Sequence, residues 1–419
     1  MNPERWRRIG VLFDEIVELE GEARRQAIGR IEDAGLRSEV ERLLAGDAAV
    51  GDGSRDPFAR PFAADAPELV ATDMAGTLIG PWRVLRELGR GGMGVVLLAE
   101  RADGQYEQLA ALKLMRAGGD PAGLRRRFLR ERQILARLEH PHIARLLDGG
   151  VTAAGEPYFA LEYIDGEPLT TFVARQPVDA ATRLHLFLDV CSAAQFAHRQ
   201  LVVHCDIKPS NVLVDRDGRV KLLDFGIANL LAGDDPGSAE TQLRALTPAY
   251  ASPEQLRGDP VTTASDVYAL GAVLYELLTG VRAHRLGPDA SSSERLAAIS
   301  DARRALPSAA AKATGREDAE CIAGLAGLPE PSLRGDLDVI TSTALQADAA
   351  RRYASVEALA DDVRRYLDGN PIAARPPSVR YRVGKFVARH RFGVALAGLA
   401  LVALIGALGL ALVQARHAR

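Results

Sequence analysis

Apolar and polar residues follow two different periods along this chain. Between Ile79 and Tyr163, the apolar residues fall in short runs typical of strands, at 82–88, 95–99, 110–115, 144–147 and 158–163. A basic stretch from about Gly123 to Leu138 has the spacing of a helix. Beyond Glu167 the pattern is mostly helical, as at 180–199, 265–279 and 356–367. Strands first and helices later predict an α+β body with two lobes.

The first part of the chain and one internal segment differ from this body in composition and in the spacing of their apolar residues. Residues 1–45 carry apolar residues at helical spacing and predict a small helical region, either an extension packed on its neighbour or an independent module. Residues 46–78 are rich in Gly, Ala, Asp and Pro and predict a flexible linker. Residues 282–333 are rich in Ala, Ser, Gly and Pro, which indicates a partly ordered insertion in the helical lobe.

The last element is an apolar run at 392–413, which contains 22 residues without a charged or strongly polar side chain. About 20 such residues span a bilayer. The alternative, a buried core helix, is rarely apolar on every face. We therefore predict a transmembrane helix, preceded by a basic juxtamembrane segment at 371–391 and followed by a short extracytoplasmic tail at 414–419. Small residues recur at Ala403, Ala407 and Ala411, a row through which two spans could approach as a homodimer.

Charge separates this tail from the rest of the chain. The whole chain carries −3, which argues against nucleic acid as a partner. No acidic residue follows Asp368, and the eight basic residues after it leave −11 on residues 1–368. Positive charge is concentrated before the apolar run, which predicts that the preceding body is cytoplasmic and attached to the inner membrane. The three cysteines form no CxxC pair, so no disulfide framework is expected.

The first motif with chemical meaning is a glycine turn. Gly89, Gly91 and Gly94 form G-x-G-x-x-G between two strand-like runs. Glycine lets a turn backbone approach phosphate oxygens closely and donate N–H bonds to them. A dinucleotide-binding turn has the same glycines but opens into a helix, whereas Val95 and Val96 favour a second strand here. The pattern predicts a hairpin that covers nucleotide phosphates.

Three further motifs follow in order. Lys113 lies in an apolar strand, where a buried ammonium group requires anionic partners, and Glu131 lies in the basic helix that follows. His204 to Asn211 reads HCDIKPSN and is followed by Asp224-Phe225-Gly226. Two carboxylates and an amide oxygen at such spacing can hold magnesium beside a triphosphate, while one carboxylate meets a substrate hydroxyl.

With these motifs in order, residues 79 to about 370 resemble the catalytic domain of the bacterial eukaryotic-type (Hanks-type) serine/threonine protein kinases. Ser252-Pro253-Glu254 resembles the family's APE motif, Asp266–Gly271 its DxWxxG helix, and Arg352 the late arginine that pairs with the APE glutamate. The resemblance implies a bilobal protein-kinase-like fold, with an N-lobe of one β-sheet and one helix at 79–161, a hinge at 162–166 and a helical C-lobe at 167–370.

The resemblance also implies catalytic roles. Asp206 would orient the substrate hydroxyl and accept its proton, Lys208 would neutralise charge on the transferring phosphoryl group, and Thr247 could bridge to Asp206. Lys113 would contact the α- and β-phosphates and pair with Glu131. Transfer of the ATP γ-phosphoryl group to Ser or Thr hydroxyls of proteins, with autophosphorylation, is the expected activity, in bacterial signal transduction.

ATP and Mg²⁺, with Mn²⁺ as a substitute, are the implied cofactors. Asn211 and Asp224 would hold the metal. The positions that would contact the nucleotide are Leu88, Gly89, Gly91, Gly94, Val96, Ala111, Lys113, Glu162, Ile164 and Leu213. Two other classes compete with this function: a catalytically weak nucleotide-binding scaffold, and an enzyme that phosphorylates a small molecule. Retention of the catalytic positions argues against the scaffold, and Ser252-Pro253-Glu254 argues against the small-molecule enzyme.

One position departs from the family pattern. Cys205 stands where the family usually has an arginine that meets a phosphate on the activation segment, which here runs from Asp224 to Glu254. A thiol cannot supply a bidentate cationic fork, so phosphorylation of this segment loses its usual partner. The cysteine itself is interpreted either as a small buried side chain or as a redox group beside Asp206.

Overall fold

The computed structural model describes residues 37, 74–91, 94–115, 128, 132–152, 155–176, 178–225, 248–284, 294, 297–299, 305–313, 322, 325–376 and 378–417. The helical region predicted at 1–45 lies outside the described residues apart from Arg37, which is helical. Most of the predicted linker at 46–78 also lies outside them. Of the basic helix predicted at 123–138, Phe128 and residues 132–135 are described as helical.

The N-terminal part is an antiparallel sheet of six strands. They are β1 Leu78–Ile79, β2 Trp82–Gly91, β3 Gly94–Arg101, β4 Leu109–Met115, β5 Leu146–Val151 and β6 Pro157–Glu162, in the order β1-β2-β3-β4-β6-β5. The five predicted strand runs are confirmed as β2 to β6. Alternate side chains such as Trp82, Val84, Leu97 and Leu112 are buried on one face, which is the period expected of a half-covered sheet.

A small sheet and two helices begin the C-terminal part. The elements are β7 Gly166–Pro168, α1 Leu169–Arg175, α2 Ala180–Arg199, β8 Val212–Asp215 and β9 Val220–Leu222, with a 3₁₀ turn at Pro209–Asn211. The strands pair antiparallel in the order β7-β8-β9. Asp179 caps α2 by accepting a bond from the Thr182 amide, which explains why the predicted helix starts there.

The rest of the C-terminal part is helical. The helices are α3 Pro253–Arg257, α4 Thr263–Thr279, α5 Pro307–Ala313, α6 Glu330–Leu333, α7 Asp336–Ala344 and α8 Val356–Leu367. Every residue of α4 from Ser265 to Thr279 is buried, so α4 forms the centre of this lobe. Helix α2 packs beside it and contributes Leu184, Phe187 and Val190 to the same core. A sheet lobe followed by a helical lobe confirms the predicted α+β order.

Two helices complete the described chain. They are α9 Val379–Arg389 and α10 Arg391–His417. The predicted single span at 392–413 is not found, because no one helix among the described residues is by itself long and apolar enough to cross a bilayer. Residues 379–387 and 392–407 reach the required length and composition only when taken together, and this pair is bent by 96°.

Candidate functional site

The loop after α2 brings polar side chains around Asp206. The side-chain Nδ2 of Asn211 donates to the Asp206 carbonyl oxygen at 2.9 Å and to the Asp206 carboxylate Oδ2 at 3.0 Å. Lys208 Nζ lies 2.9 Å from the same Oδ2. Because Asn211 sits in a short 3₁₀ turn that leads directly into β8, its position is set by the sheet rather than by a free loop. Lys208 and Asn211 therefore hold the carboxylate in one orientation.

The second half of the site is formed by Lys113 on β4 and by Asp224, which follows β9. Lys113 on β4 is 7% exposed, and its Nζ lies 2.9 Å from Asp224 Oδ2. Asp224 has a φ of +57°, a left-handed conformation that residues other than glycine adopt mainly at turns and functional sites. The Leu223 amide donates to the Asn211 carbonyl at 2.8 Å, and His204 Nε2 lies 2.8 Å from the Leu223 carbonyl. These bonds place Asp224 beside the Asp206 loop.

The central helix α4 holds the backbone of the Asp206 loop through Asp266. Asp266 is 1% exposed, and its carboxylate accepts bonds from the amides of His204 at 2.8 Å and Cys205 at 2.9 Å. His198 Nε2 lies 2.7 Å from the same carboxylate. Cys205 has a φ of +66°, which costs a residue with a side chain about 1–2 kcal/mol. The two bonds to Asp266 help to hold that conformation, one residue before Asp206.

Helix α3 fixes the same loop from the other side. Gln255 is 7% exposed, and its Nε2 donates to the Cys205 carbonyl at 2.7 Å. Its Oε1 accepts from the Ser252 amide at 2.9 Å and from the Ser252 hydroxyl at 3.0 Å. Cys205 is thus bonded at its amide by Asp266 and at its carbonyl by Gln255.

Behind α3 lies the ion pair that the resemblance implied. Arg352 binds Glu254 through two parallel bonds of 2.7 and 2.8 Å, and both residues are buried. Burial raises the pKa of Glu254, but the bonds from Arg352 and from the Ser265 hydroxyl outweigh it and bring that pKa down to about 2. The pair confirms the prediction for Arg352 and anchors the end of the activation segment.

A second buried carboxylate lies near the end of α4. Glu276 is 3% exposed and accepts a bond from the Tyr250 hydroxyl at 2.6 Å. Burial raises the pKa of Glu276 to about 7, even though the Tyr250 bond opposes that shift. Tyr250, just before α3, is thereby fixed to the central helix.

The residues expected to contact a nucleotide lie on β2, β3, β4, β6 and β8, except Ile164, which lies between β6 and β7. Gly89 pairs with Val96, and Gly91 with Gly94, so the glycine turn is the predicted hairpin. Gly94 has a φ of +146°, and a Cβ there would lie 1.9 Å from a carbonyl oxygen of β4, so only glycine fits. The remaining positions that the structure describes are Leu88, Ala111, Glu162, Ile164 and Leu213. Glu131 and Thr247 lie outside the described residues.

Three contacts at the site were not anticipated from the sequence. The first two are the bonds from Asp266 and Gln255 to the backbone of Cys205. In the third, Lys221 Nζ lies 3.0 Å from both carboxylate oxygens of Glu162 at the end of β6. The Ser252-x-x-Gln255 spacing is that of a capping box, and it could have marked the start of α3 but not the bond to the loop.

The donor set fits a magnesium ion bound together with phosphates. Among the described residues, no group of three or more His, Cys, Asp or Glu side chains could hold a metal alone. Magnesium is commonly held by one or two carboxylates together with substrate phosphates. Asp224 and the amide oxygen of Asn211 are hard oxygen donors of this kind, in line with the predicted metal ligands.

Comparison with known proteins points in the same direction. A family model described as "Protein kinase domain" matches residues 82–359. A probable serine/threonine-protein kinase of Streptomyces coelicolor is 35% identical over 296 residues, covering 68% of this chain and 40% of that protein. The serine/threonine-protein kinase PknB of Mycobacterium tuberculosis is 42% identical over 201 residues, covering 46% and 31%. The serine/threonine-protein kinase PrkC of Bacillus subtilis is 38% identical over 203 residues, covering 48% and 31%. The chain therefore matches less than half the length of each of these relatives.

Proposed function

The chain belongs to the protein kinase family, and we propose that it transfers the γ-phosphoryl group of ATP to Ser or Thr hydroxyls of proteins. The observation that carries this proposal is that Lys113 lies 2.9 Å from Asp224, that Asn211 bonds Asp206 at 2.9 and 3.0 Å, and that the Leu223 amide bond to the Asn211 carbonyl links the two pairs. The serine/threonine kinases among its relatives support the choice of acceptor, as does Lys208 beside Asp206.

In this proposal, Asp206 receives the substrate. Its carboxylate is oriented by Asn211 and Lys208, so it would accept a hydrogen bond from the acceptor hydroxyl and take its proton as the new P–O bond forms. Lys208 Nζ, held at 2.9 Å from that carboxylate, would stabilise the negative charge that spreads over the transferring group. Positioning and charge stabilisation supply most of the rate enhancement in this class of reaction.

The nucleotide would lie between the glycine hairpin and the C-terminal lobe. Lys113 would turn from its partner Asp224 toward the α- and β-phosphates. Asp224 and Asn211 would hold Mg²⁺, or Mn²⁺, and the bound ion would neutralise phosphate charge and orient the γ-phosphoryl group. Val96, Ala111 and Leu213 would enclose the adenine, with the backbone of Glu162 to Ile164 along its edge. Glu131 and Thr247 keep their proposed roles as partners of Lys113 and Asp206.

The test is phosphate transfer by the full chain from labelled ATP with Mg²⁺ or Mn²⁺. Asp206→Asn and Lys113→Met should abolish labelling of the chain and of generic protein substrates while the fold remains intact. Asp217→Asn is the matched control, because Asp217 is an exposed carboxylate in the turn between β8 and β9. Full activity in either site variant would refute the proposal. Nucleotide binding without any labelling would instead favour the scaffold.

We also propose that the apolar residues 392–413 attach the chain to the inner membrane, with the kinase lobes on the cytoplasmic side. Support comes from the absence of charge over these 22 residues and from the excess of basic residues before them. The full chain should stay with membranes after alkaline carbonate extraction. Release into the supernatant would contradict this attachment without affecting the kinase assignment.

A further inference from the structure

Helix α9 has a continuous apolar stripe that faces away from the protein. Val379, Val383, Phe386 and Val387 are 80%, 53%, 56% and 40% exposed. At about 100° per residue, these four positions fall within an arc of roughly 100° on the helix surface. An exposed stripe of this kind on a short helix is typical of helices that lie in a membrane interface.

The opposite face of α9 is bonded to the C-terminal lobe. Lys385 Nζ lies 2.7 Å from Asp336 Oδ2, and the Tyr381 hydroxyl donates to the same oxygen at 3.0 Å. Asp336 is 6% exposed at the start of α7. One turn further along α9, Arg389 bonds the Asn370 side chain. Residues 381, 385 and 389 form one row, so the lobe fixes the rotation of α9 and turns the apolar stripe outward.

Basic residues border the apolar stripe on both sides. On the same helical wheel, Arg380 and Arg382 lie roughly 80° to either side of its centre, and both are exposed. Arginine in this position can keep its aliphatic stem on apolar surface while its charged head reaches phosphate groups. No acidic residue follows Asp368, so the tail contains no carboxylate side chain that would repel an anionic surface.

The direction of the chain after α9 agrees with this arrangement. The axes of residues 379–387 and 392–407 meet at 96°. A helix parallel to a bilayer surface and a helix that enters the bilayer meet at about this angle. The exposed side chains of α10 are also apolar, among them Phe392, Leu396 and Leu399, so the stripe of α9 continues into an apolar surface.

We propose that α9 is an interfacial helix that lies on a bilayer containing anionic lipids and holds the C-terminal lobe against it through Asp336. The proposal extends the membrane attachment given above, but it requires only that α9 meets the lipid surface. The juxtamembrane segment then connects the lobes to the membrane rigidly and not as a flexible linker, so the kinase lobes have one preferred orientation on the membrane.

The test measures the depth of α9 in the full chain. Phe386→Trp is made together with Trp6→Phe, so that the only other tryptophan is Trp82, which is fully buried. The protein is reconstituted into vesicles of equal parts phosphatidylcholine and phosphatidylglycerol whose acyl chains carry bromine. Tyr106→Trp in the same Trp6→Phe chain is the matched control, since Tyr106 is an exposed aromatic residue of the N-terminal lobe. Bromine should quench the tryptophan at 386 and not the one at 106.

Carbonate extraction of the same samples separates this proposal from membrane attachment by α10. Quenching with resistance to extraction supports both proposals, and quenching of a chain that carbonate releases supports α9 alone. Resistance without quenching overturns the interfacial helix and leaves the attachment standing. Equal quenching in vesicles without phosphatidylglycerol would show that α9 does not require anionic lipid, which overturns that part of the proposal.

Two further variants test the surface itself. Val383→Asp with Val387→Asp places carboxylates in the stripe, and quenching at 386 should be lost while the chain remains resistant to carbonate. Arg380→Gln with Arg382→Gln should weaken the dependence of quenching on phosphatidylglycerol. Unchanged quenching in the double aspartate variant would overturn the proposal. Circular dichroism of each variant checks that the overall helix content of the chain is unchanged.

Discussion

Replacement of Gln255 by Glu should slow phosphate transfer without loosening nucleotide binding. The substitution keeps the shape of the side chain and the oxygen that accepts from Ser252. It replaces the Nε2 donor by an oxygen that faces the Cys205 carbonyl at 2.7 Å. The Cys205 carbonyl then loses its bond from Gln255 and meets a repulsive neighbour.

The size of the effect follows from the contacts at Cys205. The loss of a hydrogen bond to a buried carbonyl costs about 1–3 kcal/mol. The left-handed backbone of Cys205, φ +66°, stores about 1–2 kcal/mol, which the bond from Gln255 helps to offset. If about 1.4–2.8 kcal/mol of this appears as misplacement of Asp206, kcat falls about 10- to 100-fold. KM for ATP should not change, because Lys113 and the glycine hairpin are untouched.

The assay is steady-state transfer to a protein substrate, with kcat and KM for ATP measured separately. Ser252→Ala is the control, since it removes both bonds between the Ser252 hydroxyl and Gln255, one to Oε1 and one from the amide, and leaves the bond to Cys205. Combining Cys205→Gly with Gln255→Glu in one double variant should restore part of kcat, because glycine adopts the left-handed backbone without strain. A kcat within twofold of wild type for Gln255→Glu would refute this reasoning, as would a loss confined to KM.

Three further predictions concern buried groups. Glu276 has a folded-state pKa near 7, raised by burial, so its contribution to stability is present at low pH and is lost as pH rises through 7. In urea unfolding followed from pH 5 to 8, the free energy of unfolding of Glu276→Gln should fall by up to about 3 kcal/mol less than that of the wild type. Glu254, whose pKa is lowered to about 2, contributes stability above the pKa of the unfolded chain that is lost as pH falls toward 2. Arg352→Leu should abolish that acid dependence and cost about 3–5 kcal/mol, measured as the shift in urea midpoint. Gly94→Ala would place a methyl group 1.9 Å from a β4 carbonyl, so KM for ATP should rise about tenfold or more in the transfer assay with little change in circular dichroism.

The elements that sequence periodicity predicted well are those with strong local signals. Helices α2 and α8 begin and end at the predicted residues, because each has a polar side chain at its N-cap and a repeating apolar face. Strands β2 to β4 contain the predicted runs at 82–88, 95–99 and 110–115, but each extends beyond its run by one to three residues at one or both ends. Strand β5 starts two residues later than predicted and extends to Val151. Its Gly149 and Gly150 weaken the strand pattern on which the prediction rested.

The contacts that orient the candidate site could not be predicted, because they join residues far apart in sequence. Gln255 is 50 residues from Cys205, and Asp266 is 61 residues from it. Neither bond has a local pattern, since the loop contributes only backbone atoms: the Cys205 amide donates to the Asp266 carboxylate, and the Cys205 carbonyl accepts from the Gln255 side chain. The same limit applies to α9, where Asp336 precedes Lys385 by dozens of residues and decides which face of the helix is covered.

The two bonds to Cys205 bear on how this site is kept in place without the usual arginine. An arginine at this position would tie the loop to the activation segment through a phosphate, an ionic contact that depends on modification and is weakened by salt. Here the carbonyl of the same residue is tied to the end of that segment by the neutral amide of Gln255, and Gln255 is buried. A buried neutral bond needs no phosphate and is little screened by salt. The backbone of Cys205, one residue before Asp206, should therefore keep its position without a phosphate on the activation segment, and transfer by the unphosphorylated chain should start without a lag.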